Sequence, residues 1–183
     1  MNNTNRKISE KSKKRMANAL FTIMEQYDLR DITITQIAQA SGLTRRTFYR
    51  LFDAKEDVLQ YQYELWFTEI YERVKAEKRH SYWDVAQCYF DFCEKNREAL
   101  LLMKKQNIIG DFFSYIESNT LQVFESVHSK EIAQRNPTEL PYLMAYSVGG
   151  MFSMLNKWID NDMDIPFNDL IRILKNAYKS TEL

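Results

Sequence analysis

"QASGLTRRTFYR", residues Gln39–Arg50, is the stretch on which the reading of the whole chain turns. Gly42 supplies the left-handed residue that a tight turn between two helices needs. Thr44 is a good N-cap for the helix that follows. Leu43, Phe48, Leu51 and Phe52 can anchor that helix from behind, which leaves Thr44, Arg45, Arg46, Thr47 and Tyr49 on or near its exposed side. Two arginines in a first helical turn oppose the helix macrodipole, which favours acids there. Phosphates or guanine edges opposite them would offset that cost, because Arg reads guanine bidentately in the major groove. On the turn alone a second reading stands equally: a solvated arginine pair on a helix hairpin that is only packing.

The surroundings are helical. The 183 residues contain 45% hydrophobic and 14% aromatic side chains but only 4 Gly and 3 Pro. That is ample for a core and fits an all-α chain with short connections. Met16, Leu20, Ile23, Met24 and Tyr27 recur on one helical face, predicting a first helix from a cap at Ser9 (or Ser12) to about Asp28. Thr35 is expected to cap a short helix through Ala40, with Ile37 and Ala38 inward, and Asp53 to cap a long helix from Ala54 toward Lys78. Val58, Leu59, Leu65, Trp66, Ile70 and Val74 are among the apolar residues of that long helix. Further helices are expected over 82–95, 97–105, 111–128, 139–161 and 167–180. A DNA-binding domain over 1–57 and a larger domain over 58–183 would then share the long helix, with no flexible linker between them.

Net charge is zero, but unevenly spread. Residues 1–57 hold 11 Lys and Arg against 7 Asp and Glu, and the remainder is correspondingly acidic. A basic third and an acidic remainder is the asymmetry expected when one end meets phosphates. Arg6, Lys7, Lys11, Lys13, Lys14 and Arg15 face only Glu10 in the first fifteen residues, as a flanking backbone contact or as a solvated tail. No run of about 18 apolar residues suggests a membrane span, no secretory signal is apparent, and a cytoplasmic protein is expected. Cys88 and Cys93 read as buried or half-buried free thiols, with redox sensing as the alternative. His80 and His128 stand alone and read as structural or surface residues. No nucleophile–base set, carboxylate pair, metal spacing or phosphate-cradling loop is visible, so neither an enzyme nor a bound cofactor or metal is expected.

"ITITQIAQASGLTRRTFYRLFDAKEDVLQYQYE" closely resembles the DNA-binding segment of the tetracycline-repressor (TetR) family of transcription regulators. The residues that carry the resemblance are Thr35, Ile37-Ala38, Ser41-Gly42-Leu43, Phe48-Tyr49, Phe52, Lys55 and Glu56-Asp57-Val58-Leu59, all in register. The resemblance implies that Thr35, Thr47, Tyr49 and Lys55 contact phosphates and that Gln36, Arg45 and Arg46 reach base edges. Leu51 departs from the family, which commonly has a polar residue there; Arg50 is expected to compensate in part. "FCEKNREALLLMKKQN" and "SVGGMFSMLNKWIDNDMDIPFNDL" resemble a branch common in Gram-positive bacteria, whose members dimerise through their last two helices.

Residues Tyr142 to Ile159 are apolar on more than one face, so their helix must be covered on two sides, by its own chain alone or also by a second copy. The dimer reading assigns Val148, Met151, Phe152, Leu155, Trp158 and Ile159 to the interface, together with Ile171 and Leu174. Gly149-Gly150 weakens a helix interior, and close approach of another backbone would explain it. The resemblance also implies a pocket for a small hydrophobic effector, for which Trp66, Tyr89, Phe92, Met103, Phe113, Phe124 and Tyr146 are candidates; aromatics at such spacing also read as plain core. The expectation is therefore a homodimeric regulator, a repressor, on a palindromic double-stranded DNA operator, released or activated by an effector or partner protein. Its rivals are a co-regulator that keeps the fold but binds another protein, and a small-molecule carrier with a vestigial turn.

Overall fold

Nine α-helices make up the described part of the chain, residues 3–76, 81–127, 136 and 138–180 of a computed structural model, and no strand occurs among these residues. In chain order they are α1 (Asn3–Met24), α2 (Ile34–Ala40), α3 (Arg45–Leu51), α4 (Lys55–Ala76), α5 (Tyr82–Lys95), α6 (Arg97–Lys105), α7 (Ile109–Val127), α8 (Leu140–Asp160) and α9 (Phe167–Ser180). His80 and His128 lie outside the described residues, as do the side chains of Phe124 and Leu174. The chain forms two compact units, Met1–Thr68 and Glu69–Leu183, which divide inside α4.

In the first unit α1 buries Met16, Ala17, Leu20 and Met24. It starts well before Ser9: the Ser12 hydroxyl donates to Ile8 O at 3.0 Å, a bond made from within a helix rather than a cap. Tyr27 falls past the helix end and is half exposed, so the apolar face stops at Met24. α2 is capped one residue pair earlier than expected, by Thr33. Its Oγ1 accepts from Gln36 N at 3.3 Å while Gln36 Oε1 accepts from Thr33 N at 2.8 Å. Thr-x-x-Gln closes a reciprocal capping box, which satisfies two free N–H groups where Thr35 alone would satisfy one. The turn after α2 has Gly42 at φ +63°, and Thr44 Oγ1 accepts from Thr47 N at 3.1 Å to start α3. At α4 the capping carboxylate is Asp57's and not Asp53's: Oδ2 accepts from Asp53 N and Ala54 N, each at 2.8 Å.

The second unit is an aromatic core shared by α5, α6, α7 and α8. Phe152 of α8 packs against Tyr89 of α5 and Phe113 of α7, and Trp158 against Phe90, with centroid separations of 5.5–6.2 Å. Ser81 and Asp84 form a second capping box, at the start of α5. The α8–α9 corner is tight: Asp162 and Met163 both adopt φ +55°, and Trp158 Nε1 donates to Ile165 O at 3.0 Å. Two cations of α6 hold this corner. Lys104 Nζ donates to Ile159 O, Asp160 O and Asp162 Oδ1 at 2.9–3.1 Å, and Arg97 donates to the carbonyls of Asp162 and Met163.

Candidate nucleic-acid interface

α3 is a seven-residue helix with a buried back and a charged front. Phe48 is fully buried and meets the rings of Tyr49 and Phe52 at 5.7 and 5.8 Å; Phe52 in turn meets Tyr61 of α4 at 5.9 Å. That chain of rings fixes the roll of α3, so Arg46 and Arg50, each two positions from Phe48 and nearly opposite it, must face outward. Arg45, Arg46 and Arg50 are exposed and Tyr49 is 51% exposed. Among the described residues no acidic side chain pairs with any of the three arginines. No acid occupies the first turn of α3, so Arg45 and Arg46 sit uncompensated at its positive end. Leu43 and Leu51 are half-buried, Leu43 plugging the turn from which α3 projects.

The turn has its own brace. Arg15 of α1 reaches Gly42, with Nη2 3.5 Å from the carbonyl oxygen, and a Cβ at residue 42 would stand 2.7 Å from that nitrogen. Positive φ and this approach together call for glycine. Ser41 is buried, its hydroxyl donating to Ala38 O at 2.9 Å.

Not every expected contact residue belongs to this front. Thr35 is exposed in the first turn of α2, but Gln36 is turned back, its Oε1 accepting from both Thr33 N and Thr33 Oγ1 at 2.8 Å. Thr44 and Thr47 are tied to each other through the α3 cap, Oγ1 to Oγ1 at 3.0 Å. Lys55 faces inward: Nζ donates to Leu29 O, Arg30 O and Ile32 O at 2.6, 2.9 and 3.0 Å. An ammonium has three protons, and three carbonyls take them. Lys55, expected at a phosphate, thus has its ammonium engaged within the chain. Thr33 was missed although Thr-x-x-Gln is a readable cap signature; Arg15 was missed as a brace because its partner lies 27 residues away.

The remaining candidates lie elsewhere. Tyr89, Phe92, Met103 and Phe113 are buried in the second unit, where Tyr89 and Phe113 share Phe152, and Phe112 bridges Phe92 and Phe113. Trp66 lies in the first unit, edge-on to Phe21. Tyr146 is 72% exposed and lines no core. Val148, Met151, Phe152, Leu155, Trp158, Ile159 and Ile171, expected at a partner surface, are all buried within the single chain, because this side of α8 faces α6 and α7, and α9, which carries Ile171, packs against α5. Among the described residues Tyr142, Tyr146, Gly150 and Ser153 of α8 are exposed, and so is Ile173 of α9. Cys88 and Cys93 are buried free thiols, and burial pushes the Cys93 thiol up to about 12. Among the described residues no group of His, Cys, Asp and Glu side chains is placed to hold a metal, and no helix is long and apolar enough to cross a membrane.

Compared with known proteins, residues 82–180, from the first turn of α5 to the end of α9, match the family model of the TetR-type transcriptional regulator C-terminal region. No curated protein matches the chain. The matched segment is more than half the chain, and it follows a helix-turn-helix whose second helix presents unpaired arginines; the chain belongs to the TetR family of transcriptional regulators.

Proposed function

We propose that the chain represses transcription as a homodimer, each copy placing α3 in the major groove of one half of a palindromic operator. The observation that carries this reading is the front of α3: Arg45 and Arg46 exposed, uncompensated at a helix start, on a helix whose roll is fixed by buried Phe48. Arginines so placed suit guanine edges, while exposed Tyr49, Thr35 and Arg50 suit the adjoining phosphates. The face offered to the second copy is Tyr142, Tyr146 and Ile173, with Gly150 between them and Ser153. It differs from the set first expected there, which is buried within the single chain. A small hydrophobic effector would have to open the Tyr89–Phe113–Phe152 cluster, where an apolar ligand would find aromatic faces already gathered.

Selection of bound duplexes from random sequence, followed by Arg45→Ala and Arg46→Ala, tests the DNA reading. Each variant is expected to lower affinity for the selected sequence by about 1–3 kcal/mol and to relax preference at its own base position. Unchanged binding by both variants would remove the base-reading assignment.

A further inference from the structure

We propose that the exposed basic ridge of α1 is a second DNA-contact surface, holding backbone phosphates that flank the bases read by α3; the inference rests on the DNA reading above. Lys7, Lys11, Lys14 and Arg15 recur at i, i+4, i+7 and i+8, all exposed, so they form one face about 12 Å long. With Arg6 they line a single shallow groove. Among the described residues none of these five cations has an acidic partner.

The neighbouring charges show that this is not a general feature of α1. Glu10, the acid within the ridge, accepts the Tyr61 hydroxyl at 3.0 Å and so is tied to α4. Lys13 is also turned toward that side, its ammonium 5.3 Å from the Tyr61 ring centre and 5.7 Å from that of Phe52. One lysine of the run therefore stabilises the unit and the other cations are left outward. Like charges at i, i+4 repel, and Arg6, in the first turn, opposes the helix dipole. An arrangement that weakens the isolated helix is relieved by a regularly charged polyanion alongside it.

The ridge is also continuous with the reading surface. Its groove runs into a depression lined by Arg15, Asn18 and Thr22 of α1 with Ala40 and Ser41 at the end of α2. Arg15 then meets the Gly42 carbonyl, three residues before α3. A duplex seated on Arg45 and Arg46 thus has its adjoining backbone offered to the ridge. No base edge is implied for Lys7, Lys11 and Lys14, because each presents a point charge on a flexible stem rather than a fixed fork.

The test uses the full-length protein and two 40-bp duplexes, one carrying the sequence the wild type selects and one of random sequence. The triple variant Lys7→Gln, Lys11→Gln, Lys14→Gln is expected to bind both duplexes about tenfold or more weakly while keeping their affinity ratio. The slope of log K against log salt should fall in magnitude by roughly two to three per protomer. The matching Lys→Arg triple should bind as wild type, and neither triple should melt below the wild-type temperature. A Gln triple with wild-type affinity and slope overturns the inference, as does a loss seen with single-stranded RNA but not with duplex DNA. A wild type that binds no duplex removes the DNA reading and the ridge with it. A wild type dependent on Arg45 and Arg46 but indifferent to the Gln triple removes the ridge alone.

Discussion

Lys55 shows how much turns on the direction of one side chain. Its ammonium joins the first turn of α4 to the carbonyls of Leu29, Arg30 and Ile32, the segment that leads into the Thr33 cap of α2. It therefore braces the lead-in to α2 from behind, and a brace is expected to behave differently from a grip on DNA. Lys55→Met keeps the length of the stem and removes the charge. It is expected to destabilise the first unit by about 2 kcal/mol, the scale of hydrogen bonds to a charged group in a partly exposed site. Operator affinity should fall with it, but the salt slope should stay at the wild-type value. A phosphate contact predicts the reverse: near-normal melting and a slope lower in magnitude by about 0.9 per protomer. Thermal melts and a salt titration of DNA binding on the same variant separate the two. The sequence showed the lysine in register with the family but not where it points, because its three acceptors are backbone atoms more than twenty residues away.

Elements were far more legible than their junctions. Helices expected over 82–95, 97–105 and 167–180 are observed with those bounds, because apolar periodicity and polar breaks define them locally. The α8–α9 corner was readable only as a polar turn. Its left-handed residues are Asp162 and Met163 rather than glycines, and the cations that hold them come from α6. For an L residue that backbone costs roughly 1–2 kcal/mol, so two in succession need support from outside the turn. Arg97 and Lys104 provide it, and Lys104 also satisfies the carbonyls of Ile159 and Asp160 at the end of α8, where the helix dipole favours cations. Arg97→Ala is accordingly expected to lower stability by about 2 kcal/mol, read as an earlier urea midpoint with an unchanged slope. A variant that unfolds at the wild-type midpoint would mean that the corner holds itself.

At the scale of the whole molecule, periodicity required α8 to be covered on two sides but carried no label saying which side belonged to the chain itself. The bulkiest residues, Phe152, Leu155, Trp158 and Ile159, went to the chain's own core, and the lesser apolar face was left outside with Tyr142 at 77% and Ile173 of α9 at 49% exposure. Gly149 and Gly150 make a test of what covers that face. A Cβ added at either would meet nothing within 4 Å in the single chain, so packing inside the chain gives no reason for them. If a second copy lies along the outer face, its backbone can approach at Gly150 more closely than any side chain would allow. Gly150→Ala should then act in opposite directions on two measurements. In dilute solution, where the chain is dissociated, the better helix former should raise stability by up to about 1 kcal/mol. In concentrated solution it should weaken self-association, and Gly150→Leu should weaken it further while leaving the dissociated chain folded. Sedimentation across a range of concentrations, paired with urea unfolding at the lowest of them, reads both effects. Self-association untouched by Gly150→Leu would show that the Tyr142–Tyr146 face meets no second copy, and the homodimer would then have to be built on another surface.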